Sequence, residues 1–205
     1  MPSPQRTPTS VPRARGRVRP LEQLAMELGE ARPRWTYSRR VLASRHLERI
    51  RQRLEFVRRF FPELDALSIR VGIAEKRGIL GWGSLDPERP GVWVRPRRLD
   101  YFTVAHEFTH LLQARGLVPR GERACDLFAL ARSPLLVDHP PGYLRLPRAL
   151  LKRRVDLATA QFLSAAARAA IAARQAGDRR YLARFERDVA VWAAPAPAFR
   201  RAASS

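Results

Sequence analysis

One cysteine, two lysines and no long apolar run set the first limits on this 205-residue chain. Cys125 has no partner for an intramolecular disulfide, so a reducing, cytoplasmic compartment is the expected one. No stretch of 18 or more consecutive apolar residues occurs, which leaves no candidate for a membrane-spanning helix. The first residues also lack the apolar segment of a secretory signal. Acidic residues are absent from Met1 to Pro20, where proline, serine and arginine dominate, and this segment reads as a disordered basic arm. With lysine restricted to Lys76 and Lys152, the net charge of +20 rests on 37 arginines.

That charge is uneven. Residues 1–40 carry +6, residues 41–143 carry +5 and residues 144–205 carry +9. Flanks of this kind attract nucleic acid or an acidic partner through counterion release. The same excess of arginine, with plentiful alanine and proline, is what a GC-rich coding sequence produces, and no nucleic-acid recognition motif is present.

The length predicts one domain with appendages: the basic arm over 1–20, a core over 21–146, a helical extension over 147–192 and a flexible tail over 193–205. Leu21 to Leu28 reads as a short helix ended by Gly29. From Val41 to Phe61, Leu47, Ile50, Leu54, Val57 and Phe61 form one stripe of an amphipathic helix that Pro62 stops. The period then changes to two. Ile69, Val71 and Ile73 alternate with Ser68, Arg70 and Gly72, Gly78 to Leu85 gives a second strand, and Val92 to Val94 a third. Consecutive strands on short connections predict a small antiparallel or mixed sheet of three or more strands, with the three strands named here antiparallel, in an α+β fold. Beyond a Pro-rich, irregular stretch from Ser133 to Pro147, Leu150 to Ala176 reads as helix, and Asp178 caps a last helix bearing Tyr181, Leu182, Phe185, Val189 and Trp192.

Between sheet and extension lies the stretch that carries chemistry, Val104-Ala105-His106-Glu107-Phe108-Thr109-His110. With 4 His and 11 Glu in the chain, H-E-x-x-H would arise by chance in roughly 0.4% of such sequences, so it is a specific signal. Asp100 stands at a helix N-cap and Gly116 where a helix ends, which frames Tyr101 to Arg115 as one helix. Four residues apart, His106 and His110 leave the same face and can bind a single Zn²⁺. Glu107 on the adjacent flank is placed to take the proton of a metal-activated water. The extended motif of the metzincins needs glycine at 113 and histidine at 116, and the chain has Gln113 and Gly116.

Downstream stands Glu122-Arg123-Ala124-Cys125-Asp126, and here the sequence resembles the gluzincin metallopeptidases, whose second motif is E-x-x-x-D on a helix packed against the H-E-x-x-H helix. The resemblance implies Glu122 as third zinc ligand and Asp126 as the carboxylate that orients a ligand histidine. It covers roughly Leu67 to Leu130, and the short spacing from His110 to Glu122 suits the compact ImmA/IrrE type. SprT-like proteases instead close the site with a histidine, for which His139 is the rival. Tyr143 and His139 are candidate donors to an oxyanion. The resemblance implies a zincin-like fold and a zinc-dependent endopeptidase that binds a protein or peptide by strand addition at a sheet edge, with a narrow intracellular target for the ImmA/IrrE type and proteolysis near DNA for the SprT type. A catalytically silent binding or regulatory protein, touching nucleic acid through its basic flanks, is the alternative.

Overall fold

A computed structural model describes residues 34–75, 81–151 and 154–194. The basic arm, the helix expected over 21–28, the first residues of the second expected strand and the tail from residue 195 lie outside the described residues. The described elements belong to one compact unit, Arg32–Ser205.

The sheet has four strands, ordered β1-β2-β4-β3. Strand β1 (Arg34–Tyr37) pairs in parallel with β2 (Ser68–Ile73), setting Trp35 beside Ile69 and Tyr37 beside Val71. Parallel neighbours need a long crossover, supplied here by α1 (Arg39–Leu42), α2 (Leu47–Arg58) and a 3₁₀ turn over Pro62–Leu64. Strand β4 (Gly91–Val94) is also parallel to β2, while β3 (Gly81–Gly83) is antiparallel to β4 and forms one edge of the sheet, β1 the other. The antiparallel expectation is therefore corrected: the sheet is mixed, and only the β3–β4 hairpin is antiparallel. Val92 and Val94 are fully buried, as an inner strand requires, and the Gly-Trp-Gly of β3 suits an edge.

On this sheet lies α3 (Tyr101–Ala114), with Val104, Ala105, Phe108, Leu111 and Leu112 buried in a cluster shared with Ile69, Val71, Val92 and Val94. The Phe108 ring stacks on Trp35 at 5.9 Å and meets Phe61 edge-on at 5.5 Å. Full burial of one such side chain stabilises by about 1.5–3 kcal/mol. Helix α4 (Glu122–Arg132) packs along α3, and α6 (Leu157–Gln175) packs on α4 and on α7 (Tyr181–Ala193). Ala160, Leu163, Ala167, Phe185 and Val189 belong to the same hydrophobic cluster as the sheet.

Two helices expected to be continuous are broken. The Val41–Phe61 segment divides into α1 and α2 because Ser44 turns the chain, its hydroxyl accepting from the His46 amide at 3.1 Å. The Leu150–Ala176 segment divides into α5 (Arg148–Leu151) and α6, whose start is fixed by Asp156 accepting from the Thr159 amide at 2.8 Å. Asp178 accepts from the Arg180 amide just before α7 rather than from within it. Among the described residues no helix is long and apolar enough to cross a membrane.

Candidate metal centre

Helix α3 carries His106, Glu107 and His110, and its N-terminus is firmly tied down. The first four amide groups of a helix have no partner within it. Here the Tyr101 and Phe102 amides donate to the two oxygens of Asp138, both at 3.0 Å, and the Thr103 amide donates to Asp100 Oδ1 at 2.6 Å. The Val104 amide completes the set with the Asp100 carbonyl at 3.4 Å. Asp138, 36 residues beyond Phe102, is a cap that local sequence does not reveal. At the other end the chain leaves through Gly116 at φ 72°, a left-handed conformation that glycine adopts without strain.

The two histidines are oriented by partners on their outer sides. His106 Nδ1 lies 2.7 Å from Asp126 Oδ1, and the other oxygen of Asp126 accepts from the Tyr143 amide at 2.7 Å. His110 Nδ1 lies 2.8 Å from Gln113 Oε1. The Gln113 amide nitrogen donates to the carbonyls of Pro119 at 2.6 Å and Gly121 at 3.0 Å, so its oxygen is the atom that faces His110. Both outer partners are acceptors, which puts the imidazole proton on Nδ1 in each ring and turns Nε2 inward as a lone pair. Gln113 excludes one motif at the level of sequence; its positive role, locking His110, shows only in three dimensions.

Both lone pairs converge on one further acceptor. Glu122 Oε2, at the first turn of α4, is 3.1 Å from His106 Nε2 and 3.3 Å from His110 Nε2. Three acceptors this close repel one another unless a cation lies among them. Bonds of 2.0–2.1 Å in a tetrahedral site separate two donor atoms by roughly 3.3–3.4 Å, which the two imidazole-to-carboxylate spacings approach. Without a metal, a proton takes that role. Burial disfavours the His106 cation, but hydrogen bonds to Asp126, Cys125 and Glu122 outweigh it and raise its pKa far above the usual range. His110 moves the other way, lowered by burial and then by the charge on His106. Glu122 is held below the usual carboxylate range by its hydrogen bond to His106. Its side chain is 47% exposed, which leaves the centre open to solvent on that side.

A soft donor also sits here. Buried His106, His110 and Cys125 lie close enough to bind a metal ion, their donor atoms within 4.8 Å of one another. Cys125 stands three residues after Glu122 on the same helix face, and that spacing is the signal by which sequence reasoning could have found it. Its thiol is engaged with the His106 carbonyl at 3.1 Å, and burial pushes its pKa up to about 11. To bind, Cys125 would have to give up its proton and its bond to the His106 carbonyl, whereas the Glu122 oxygen already lies within 3.3 Å of both imidazoles.

Glu107 lies beside this centre, 5% exposed, with Oε2 lacking any hydrogen-bond partner. Burial raises its pKa to about 7; the His106 charge opposes that rise and Glu122 adds to it. Edge strand β3 presses on the same turn. A Cβ at Gly83 would stand 2.6 Å from the Glu107 carbonyl and 2.7 Å from His110 Cβ, and one at Gly81 would collide with the Glu107 carboxyl. These glycines let backbone lie directly against the helix. The adjoining cavity, about 250 Å³, is lined by Gly81, His106, Glu107, Asp126, His139 and Tyr143 among others.

Of the residues expected to form the site, His106, His110, Glu122, Asp126 and Glu107 come together, and Tyr143 stacks on the His106 ring at 5.6 Å. His139 lines the cavity but lies outside the donor cluster, exposed, its Nδ1 2.9 Å from the Pro140 carbonyl. No family model matches the chain, and neither a curated protein nor a solved structure does.

Proposed function

We propose that the chain is a zinc-dependent endopeptidase of gluzincin-like design with a zincin-like core, nearest in pattern to the ImmA/IrrE type. The observation that carries this reading is the convergence of His106 Nε2, His110 Nε2 and Glu122 Oε2 beside a buried carboxyl with an unpartnered oxygen. His106, His110 and Glu122 would hold the ion, with Asp126 and Gln113 fixing the two imidazoles. Zn²⁺ bound there supplies Lewis acidity, acidifying water and polarising a carbonyl.

The chain's own residues do the rest. Glu107, with a proton affinity near neutrality, takes a proton from water in the cavity and passes it to the leaving amine. Tyr143 and His139, on the cavity wall, are the donors available to the developing oxyanion. Strand β3 has one edge paired to β4, and its other edge offers backbone groups for an extended peptide. Glu122, rather than His139, as third ligand favours the ImmA/IrrE-type reading over the SprT-like one. A free buried thiol at Cys125 fits action in a reducing, cytoplasmic setting.

The test is Glu107→Gln. We expect about one zinc per chain, as in the parent, and a fall of roughly 10²–10⁴-fold in cleavage of casein or a repressor-type protein. Cleavage at the parental rate sinks the mechanism. Zinc analysis of Glu122→Ala, Cys125→Ser and His139→Ala beside it identifies the third ligand, and only Glu122→Ala should weaken binding.

A further inference from the structure

Beside the metal cavity, and sharing His139 with it, lies a second cleft of about 560 Å³. Arg49, Arg53, Arg98 and Arg154 line it, from separate places in the chain. Two carboxylates, Asp100 and Asp138, lie in the same wall; both accept from amide groups at the start of α3, and Asp138 also pairs with Arg53 at 3.5 Å. Four guanidinium groups against two carboxylates still leave the cleft with net positive charge. Arg53 is held over the Tyr101 ring at 4.2 Å, and Arg49 donates to the Leu99 carbonyl at 3.2 Å, so two of the four are fixed before any ligand arrives. Arg98 and Arg154 are exposed, and planar guanidinium groups in such a position bind carboxylates through paired hydrogen bonds. Arg98 also lines a third cleft of about 600 Å³ with Arg45 and Arg97, so the basic wall runs onward from the metal cavity.

We propose that this arginine cleft is a docking subsite for an acidic segment of the protein substrate, its carboxylates held by Arg98 and Arg154, with Arg49 and Arg53 adding positive charge in the wall behind them, while the neighbouring chain reaches the metal cavity. The inference rests on the peptidase reading for what is docked, and on the cleft alone for the charge of what binds. Charge complementarity at a cleft beside the reacting centre raises both encounter rate and selectivity. It selects substrates by a run of glutamate or aspartate lying to one side of the bond cut.

The experiment uses the full chain carrying Glu107→Gln, so that peptide is bound without turnover. A fluorescein-labelled peptide with four consecutive glutamates is titrated against it by anisotropy, with and without Arg98→Gln/Arg154→Gln, and a glutamine-substituted peptide as control. We expect about tenfold weaker binding in the double variant, a similar loss for the glutamine peptide, and recovery of only part of the affinity with Arg98→Lys/Arg154→Lys, which restores the charge but not the paired bonds. Arg179→Gln/Arg180→Gln, which removes the same charge outside the cleft, is the control for non-specific attraction and should leave the affinity near the parent's. Equal affinity of parent and double variant overturns the proposal. So does tighter binding of single-stranded oligothymidine that falls by the same factor in the double variant, since the cleft would then be a nucleic-acid site. Because binding needs neither zinc nor turnover, the expected pattern in a protein that cleaves nothing would refute the peptidase reading and leave the acidic-peptide site standing.

Discussion

Gln113 offers the sharpest test of the metal centre because it touches neither the proposed ion nor any substrate. It is 3% exposed, accepts from His110 Nδ1 at 2.8 Å and ties the α3–α4 loop through the Pro119 and Gly121 carbonyls. Gln113→Leu keeps the volume and removes all three bonds. The carbonyls are near solvent and regain water, so the main structural loss is the His110 bond and the loop tie, about 2 kcal/mol in total. For a unit of this size that corresponds to roughly 4–8 °C in the melting temperature of the metal-free protein. The second effect is on the metal. Freed of its acceptor, the His110 ring loses both its orientation and its fixed Nδ1 proton, and removal of such a partner weakens zinc binding about 10–100-fold, or about 1.4–2.7 kcal/mol. Competition with a chromophoric chelator measures the affinity, and calorimetry of metal-free protein measures the fold. A variant that melts lower yet holds zinc as tightly as the parent would refute the reasoning, since Gln113 would then be a loop tether only.

Three further outcomes rest on the same geometry. His106 and Glu107 both have raised pKa values in the folded chain, so each contributes stability to metal-free protein that is complete below its unfolded value and lost as pH rises through the folded one. The window for Glu107 runs from 4.5 to about 7 and that for His106 from 6.5 into the alkaline range, while the lowered pKa of His110 acts the other way only below 6.5, so the metal-free melting temperature should fall from pH 7 to 9. Zinc displaces the His106 proton, so the gain in melting temperature on adding zinc should widen with pH, and a gain that shrinks contradicts the assignment. Gly83→Ala drives a methyl into the Glu107 carbonyl and His110 Cβ, and should cost about 1–3 kcal/mol in chemical denaturation and lower zinc affinity. Asp138→Ala frees the Tyr101 and Phe102 amides and should cost about 1–3 kcal/mol in the same assay, while Asp138→Asn, which keeps one acceptor, costs less.

How much of this is legible in the sequence depends on how local each feature is. The α3 boundaries are readable, because Asp100 caps its own third neighbour and Gly116 sits one turn past the last apolar pair. The alternation of β2 is readable for the same reason. Sheet topology is not: β1 is only Arg-Trp-Thr-Tyr, too short to display a period, and its partner lies more than thirty residues on. Without β1 the parallel crossover through α2 has no signature, and consecutive strands look antiparallel. Breaks at Ser44 and Asp156 turn on single side-chain bonds to the backbone, which an apolar stripe does not reveal. In the site, His106, Glu107 and His110 are local, whereas Gln113 and Asp138 act through atoms that only the folded chain brings near.

These remote partners explain how so buried a helix can carry so many polar groups. An isolated buried polar side chain costs roughly 1–3 kcal/mol by protein mutational measures, and α3 buries His106, Glu107, Thr109, His110 and Gln113 together. Thr109 returns its hydroxyl to the Ala105 carbonyl at 2.8 Å, and Gln113 satisfies both itself and His110. What stays unbalanced is the meeting of three acceptors at Glu122 and the bare Glu107 oxygen, all on the side of α3 that β3 and Tyr143 flank. Departures from local consistency concentrate where a function requires them. A core helix selected for stability alone would carry leucine at 106 and 110. This one instead gathers three acceptors about one point, and an ion bound among them would stabilise the folded chain.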